Sequence, residues 1–419
     1  SSNTTGAENN AFGWGAMGVN TTGAANTASG HYALFTNSTG CRNTAHGWKS
    51  LYANTTGSCN TAVGRDALGS NTVGTNNVGI GYQAAHLNTV ASNNVAVGLT
   101  ALYYNKTGTR NTAIGTYAAH KTCNINDITA IGYSAAFCNT TGTGNTVLGS
   151  NSLYANTTGS CNSALGHNAL RCNTTGSCNT AVGTCSLYSN TVGIRNTAVG
   201  HKALVSNVAG TRNVAVGESA LELNLGGIMN TSIGQFSMRD NTSGCYNTAS
   251  GRYALKRNTT ANVNTGLGYE ALSKNTTGCR NTATGAGALA CNVTGNENTA
   301  SGYLALRLNT GSFNTAVGNQ SLQDNSSGTE NTALGAAAGT NNTTGSYNTA
   351  LGAGSFAYNT TGSNNTTAGR NSLRCNTTAS YNVAFGTDAL CATTTGAQNT
   401  GIGNGALKAN TTGCRNVAV

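Results

Sequence analysis

Asn60-Thr61-Ala62-Val63-Gly64, followed by Arg65-Asp66-Ala67-Leu68, decides the reading of this chain, because a version of it returns about every seventeen residues along all 419. The motif glycine recurs from Gly13, Gly30, Gly47 and Gly64 through to Gly386 and Gly403, twenty-four times, with one interval of sixteen between Gly302 and Gly318. A fixed period of this size without interruption is the signature of a stacked repeat, in which each unit buries its apolar face only against its neighbours. The length would otherwise suggest two or three globular domains. The unbroken phase predicts instead a single continuous solenoid over 1–419, cut from a longer repeat array.

Composition agrees with this reading. Charged residues make up 8%, proline is absent and glycine numbers 57, whereas an ordinary globular chain is about a quarter charged. Strict phasing of Gly, Leu and Asn argues against low-complexity disorder, which needs no register. The formal charge of +10 comes from 21 basic and 11 acidic residues scattered along the array. A nucleic-acid surface would need a continuous basic stripe, so no nucleic-acid partner is expected. No apolar run is long enough to span a membrane as a helix.

Coils are numbered from the asparagine that opens Asn54-Thr55-Thr56-Gly57, so that Gly57 is position 4, Asn60 position 7, Gly64 position 11 and Leu68 position 15. Threonine, valine and isoleucine at positions 7 to 10 favour a short strand ended by the glycine. Ala67-Leu68 reads as a second extended segment, and the Asn-Thr-Thr-Gly corner, with Asn and Gly free to take positive φ, closes the circuit. Two glycines per coil with β-branched residues between them are poor helix material. The predicted fold is all-β, a parallel β-solenoid or β-roll of about 24 coils with a seventeen-residue repeat, stacked about 4.8 Å apart. Variation falls at the corner: Asn309–Asn314 is one residue short, and Thr122–Ile128 loses the usual residues.

The inside follows from what each position allows. Position 15 is leucine in most coils, from Leu34 to Leu407, and position 14 is always Ala or Ser. Val63, Ile80, Val97, Ile114, Ile131 and Val182 form a second apolar column at position 10, interrupted by Ser29, His46, Ser250, Thr284 and Ser301; the interruptions place it near water or a partner. Position 7 is asparagine in nearly every coil, and Asn26, Asn43, Asn60, Asn77, Asn94 and Asn111 are expected to bond one another as an amide ladder.

The Asn-Thr-Ala-Val-Gly repeats and Asn93-Asn94-Val95-Ala96-Val97-Gly98 resemble the repeats of YadA-type trimeric autotransporter adhesin heads, and similar arrays occur in phage tail fibres. The resemblance rests on about five residues per coil. It implies a parallel β-roll in a surface-exposed fibre, left-handed and trimeric. The seventeen-residue period and the regular Asn-Thr-Thr-Gly corner depart from the shorter adhesin repeat.

Corner sequons mark N-glycosylation candidates at Asn3, Asn20, Asn37, Asn54, Asn105, Asn139, Asn156, Asn173, Asn241, Asn258, Asn275, Asn292, Asn325, Asn342, Asn359, Asn376 and Asn410. Further sequons stand at Asn230, Asn319, Asn341, Asn364 and Asn365, while Asn71, Asn88, Asn190, Asn207, Asn224 and Asn309 keep the asparagine without the sequon. Fourteen cysteines suggest an oxidising setting. Stacking would bring Cys161 to Cys178, Cys41 to Cys59, Cys375 to Cys391 and Cys123 to Cys138 as disulfide candidates.

No catalytic constellation, metal cluster or cofactor motif is read. The six histidines never share a position in adjacent coils, and the regular aspartate of calcium-binding rolls is missing. The chain therefore reads as a non-enzymatic structural subunit of an extracellular or cell- or virion-surface fibre that self-associates, with glycans expected on part of its corners. An adhesin or tail-fibre shaft using Tyr52, Tyr103, Tyr104, Tyr154 and Tyr188 is one alternative; an ice-binding solenoid using the corner threonines is another.

Overall fold

The computed structural model describes residues 2–419, among which there are twenty-five short parallel strands and no helix. They form a parallel β-solenoid of about 24 coils with a seventeen-residue repeat. Two compact units are distinguished, Ser1–Thr211 and Arg212–Val419. The first holds β1 (Asn10–Phe12) to β12 (Thr197–Val199), the second β13 (Val214–Val216) to β25 (Val417–Ala418). No helix of the described residues is long and apolar enough to cross a membrane.

The strands begin at position 8 and most run to position 10, commonly a threonine or valine and an aliphatic residue flanking a small one. β4 (Thr61–Val63) pairs with β5 (Val78–Ile80) in the register Thr61↔Val78, Ala62↔Gly79, Val63↔Ile80, a shift of one repeat. The glycine at position 11 then turns the chain. Gly64 has φ +124°, a conformation closed to side chains, and an added Cβ would lie 2.7 Å from the Gly81 carbonyl oxygen.

The rest of the coil is a run of turns, which corrects two expectations. Ala67-Leu68 is not extended: Leu68 sits at φ 50°, as Asp66 does at 56° and Cys59 at 60°. Nor do the corner residues supply positive φ; positions 6, 11, 13 and 15 do. A left-handed leucine costs of order 1–3 kcal/mol. It persists because each such residue sends its N–H to a neighbouring coil: Leu68 to Ala84 at 2.9 Å, Asp66 to Trp48 at 2.9 Å and Cys59 to Cys41 at 2.9 Å. The backbone of every turn is thus satisfied from the coils on either side, as a helix or sheet would satisfy it internally.

The position-15 leucines are buried, and the facing wall is position 9, where Ala28, Ala45, Ala62, Ala96 and Ala113 are closed to solvent. Position 10 lies toward water, as its polar interruptions suggest: Ile80, Ile114, Leu148 and Leu165 are 37–45% exposed. Space explains the choice. A Cβ added at Gly79 would meet Leu68 Cγ at 3.0 Å, and Gly266 and Gly401 stand in the same relation to Leu255 and Leu390. A leucine at position 15 therefore favours a small residue at position 9 of the next coil, alanine in most coils and serine at Ser232 after Leu221. Where position 15 shrinks to Ala136, position 9 of the next coil grows to Val147, which is fully buried.

Two asparagine ladders fill the rest of the interior. At the corner, Asn54 donates from Nδ2 to Asn37 Oδ1 at 2.8 Å and to the Gly57 carbonyl at 2.9 Å. At position 7, Asn43 Oδ1 accepts the Asn60 backbone N–H at 3.0 Å while its Nδ2 donates to the same Gly57 carbonyl at 2.8 Å. The position-4 carbonyl is the node joining both ladders. A Cβ at Gly57 would lie 2.4 Å from Asn54 Oδ1, so glycine is preferred there for close approach and not for φ.

In the irregular coil these three positions change together, whereas Thr393 replaces the corner asparagine alone beside Gly396 and Asn399. Thr122, Ile125 and Ile128 replace Asn, Gly and Asn together; Ile125 and Ile128 are buried at 4% and 0%. The short corner Asn309–Asn314 is absorbed locally: Asn314 Nδ2 reaches Asn309 Oδ1 at 3.2 Å. Register survives, with Thr299 opposite Thr315 in the pairing of β18 (Thr299–Ser301) and β19 (Thr315–Val317).

Candidate functional site

Three surfaces repeat with the coil and carry what chemistry the chain offers. The first is the outward strand face, positions 8 and 10. In the first unit, position 10 is aliphatic in nine consecutive coils from Val63 to Val199, and position 8 is Thr, Val or Ser from Thr61 to Thr197. In the second unit, position 8 is threonine in nine consecutive coils from Thr231 to Thr366. These threonines lie on the solvent side of the strands, each with at least part of its surface open. The corner threonines differ: Thr55 Oγ1 donates to the Thr72 carbonyl at 3.1 Å and Thr174 Oγ1 to Thr191 at 3.1 Å. Position 2 hydroxyls serve the stack, while the position-3 threonines of the same corner, among them Thr39, Thr56, Thr158 and Thr175, are exposed.

The second surface is an aromatic column at position 16. His86, Tyr103, His120, Phe137 and Tyr154 stack ring on ring through five successive coils. Their centroids lie 5.2–5.5 Å apart with planes within 26°. Arg171 continues the pile, its Cζ 5.6 Å from the Tyr154 ring and 5.8 Å from that of Tyr188, while its guanidinium donates to the Tyr188 hydroxyl at 3.0 Å. Pairs of this geometry add about 0.5–1.5 kcal/mol each beyond area burial.

His86 Nδ1 and His120 Nδ1 each lie 3.0 Å from a backbone carbonyl, of Asp66 and Thr100. A carbonyl can only accept, so Nδ1 carries the hydrogen in both rings. Burial, with Tyr104, Tyr82 and Asp66 close by, raises the Tyr103 phenol above its ordinary value. Sequence reading picked Tyr52, Tyr103, Tyr154 and Tyr188 one by one as contact aromatics and missed the column, although its signal, ring after ring at one phase, was present. Their faces lie against neighbouring groups; Tyr52 stacks on Phe35 at 5.6 Å. Tyr104, at position 17, is 41% exposed and meets Tyr103 edge to face.

The third surface is the corner. Its asparagines are not disposed as glycan acceptors. Asn20, Asn37, Asn54, Asn105, Asn139, Asn156, Asn173, Asn241, Asn258, Asn275, Asn292, Asn325, Asn342, Asn359 and Asn376 are all at most 2% exposed. The Nδ2 that would bear a sugar is the ladder donor, as at Asn173, bonded to Asn156 Oδ1 at 2.7 Å and to Gly176 at 2.9 Å. Asn71, Asn88 and Asn190, which lack the sequon, are equally buried, so the asparagine serves the ladder. Only Asn3 and Asn410 of the expected set reach solvent, and Asn319 and Asn364 are exposed sequons away from the corner.

All fourteen cysteines are free thiols, so the expected bridges Cys161–Cys178, Cys41–Cys59, Cys375–Cys391 and Cys123–Cys138 are not formed. At position 5 the thiol replaces a serine hydroxyl. Cys41 Sγ accepts the Ala24 N–H at 3.4 Å, as Ser58 Oγ accepts the Cys41 N–H at 3.0 Å. Cys375 donates its backbone N–H to the Cys391 carbonyl at 3.0 Å, and burial, with Cys375 beside it, raises the Cys391 thiol above its usual value.

Several notches open on the second unit's surface. Ala286, Gly287 and Ala290 leave a gap of about 300 Å³ between the coil bearing Tyr269 and Glu270 and that bearing Tyr303, Leu304 and Arg307. A hydrogen bond to Glu270 raises the Tyr269 phenol. Among the described residues no three His, Cys, Asp or Glu side chains gather where a metal ion could be held. The chain matches no protein-family model and no curated protein.

Proposed function

We propose that the protein is a structural shaft, a subunit of an extracellular or surface fibre whose work is mechanical. The observation that carries this reading is the coil-to-coil bonding. Backbone turns, strands and two amide ladders all direct their hydrogen bonds to adjacent coils, so a load along the stack is shared by many parallel bonds. The likeness of Asn-Thr-Ala-Val-Gly to adhesin-head repeats supports placement at a cell or virion surface. Immunogold labelling of native material tests it: label along surface fibres is expected, and label confined to the cell interior refutes it. Pulling single molecules gives a second readout, in which coils should release in steps of one repeat.

Two specific observations favour other readings on the same scaffold. The notch walled by Tyr269 and Tyr303, with Glu270 and Arg307 beside them, would suit a sugar ring and supports an adhesin; glycan-array binding lost in Tyr303→Ala would establish it. The threonine row from Thr231 to Thr366 adds a second array to the exposed corner threonines as a motive for ice binding, and absence of thermal hysteresis would remove it.

A further inference from the structure

We infer that the strand face of the first unit, between Val63 and Val199, is an interface for a second copy of this chain, packed sheet face on sheet face. The inference rests on the fibre reading and names the partner that reading leaves open.

Three observations select the occupant. The first is charge. Residues 2–211 contain nine basic and three acidic residues, so two copies repel each other over most orientations. Across the nine coils, however, neither outward strand position carries a charged side chain. On this face two copies approach without a like-charge penalty from the strand side chains.

The second is apolar exposure. Ile80, Ile114, Leu148 and Leu165 hold 37–45% of their surface open, and Val63, Val97, Ile131, Val182 and Val199 fill the rungs between them, half-buried. With rungs about 4.8 Å apart and a three-residue strand about 10 Å wide, the face covers roughly 400 Å². Its position-10 half is aliphatic and its position-8 half mostly threonine, so the apolar part is a continuous stripe of roughly half that area. Two such faces meeting would bury roughly 800 Å² or somewhat more, the class of weak, reversible interfaces. Affinity from one face is therefore modest, and many faces aligned along a fibre would add by avidity.

The third is period. A second copy presents the same rung spacing, so aliphatic side chains of one face can enter the gaps of the other over the whole length without losing step. Interdigitated sheet faces about 10 Å apart are the ordinary solution for two half-buried sheets. A partner without this repeat would match a few rungs and then drift out of phase.

Sedimentation velocity of the full chain over a wide concentration range tests the inference, comparing wild type with the pair Ile114→Lys and Leu148→Lys and with the corner control Thr175→Lys. The expected result is reversible dimer formation by wild type and control, weakened roughly tenfold or more in the face pair. A monomeric wild type at every concentration overturns the inference, as does equal association of all three proteins. Matched thermal unfolding shows whether the face pair keeps its fold; should it not, Ile114→Thr with Leu148→Thr asks the same question with a smaller change. A chain that stays monomeric yet labels surface fibres overturns only this interface. Association through the face without surface fibres overturns only the function proposed above.

Discussion

Replacing Asn179 separates the polar interior from a merely tolerant one. Asn179 is fully buried at position 7. Its Oδ1 accepts the Asn196 N–H at 3.0 Å, and its Nδ2 donates to the Gly193 carbonyl at 2.9 Å and to Asn162 Oδ1 at 3.2 Å. Asn179→Ala orphans the Asn196 N–H, while Gly193 keeps its bond from Asn190 at 3.0 Å. One unsatisfied buried donor costs about 1–3 kcal/mol, and the small cavity adds to it, so a loss of about 2–4 kcal/mol is expected.

Asn179→Asp behaves differently because it turns a donor into an acceptor. The first oxygen still takes the Asn196 N–H, but the second faces the Gly193 and Asn162 oxygens. Only the protonated acid can donate there, so the folded pKa of the new carboxyl is raised above the unfolded value. Stability is then fully present below the unfolded pKa of about 3.9 and is lost as pH rises through the folded value. Buried carboxylates shift by up to about 3–5 units at about 1.36 kcal/mol each, so at neutral pH Asn179→Asp should be less stable than Asn179→Ala, and in acid more stable. Denaturant unfolding of both variants at pH 3 and pH 7 reads the crossing. Equal stability of the two at both pH values would refute the directional ladder.

Gly132→Ala should destabilise by about 1–3 kcal/mol from backbone strain alone, since Gly132 has φ +134° and a Cβ there would lie 2.6 Å from the Gly149 oxygen. Gly176→Ala, as crowded but at ordinary φ, should cost clearly less, because Ala91, Ala261 and Ala379 already occupy that position buried; chemical denaturation compares the two directly. Arg110 grips Asp127 of the next coil through two bonds of 2.7 and 3.0 Å, which holds that carboxyl below its usual value. Its contribution is therefore present above the unfolded pKa and lost as pH falls through the folded one. Being exposed, it should appear as a small melting-temperature gap between wild type and Asp127→Asn at pH 6 that closes in acid and in high salt. Glycopeptide mass spectrometry of the chain passed through a eukaryotic secretory pathway should find sugar on Asn319 and Asn364 and none on Asn173 or Asn342; modified corners throughout would mean that glycans attach before the ladder closes.

Sequence alone determined the repeat, a short strand within positions 7 to 10, the leucine column and the asparagine phase, because each depends on one residue type recurring at one interval. Tertiary structure decided which side of the strand faces in. Hydrophobicity alone would turn Val63 inward, the polar interruptions of its column point it toward water or a partner, and neither assigns Ala62 to a side. The coil is so narrow that Leu68 from the opposite wall fills it, and Ala62, with a single methyl, takes the buried place. The corner shows the same limit. Asn-x-Thr reads identically whether the amide meets an oligosaccharide or another amide, and only the stacking of Asn156 on Asn173 at 2.7 Å assigns it to the interior. The pile of rings from His86 to Tyr154 likewise depends on a spacing between coils that residue identities imply and only the stacked turns make real.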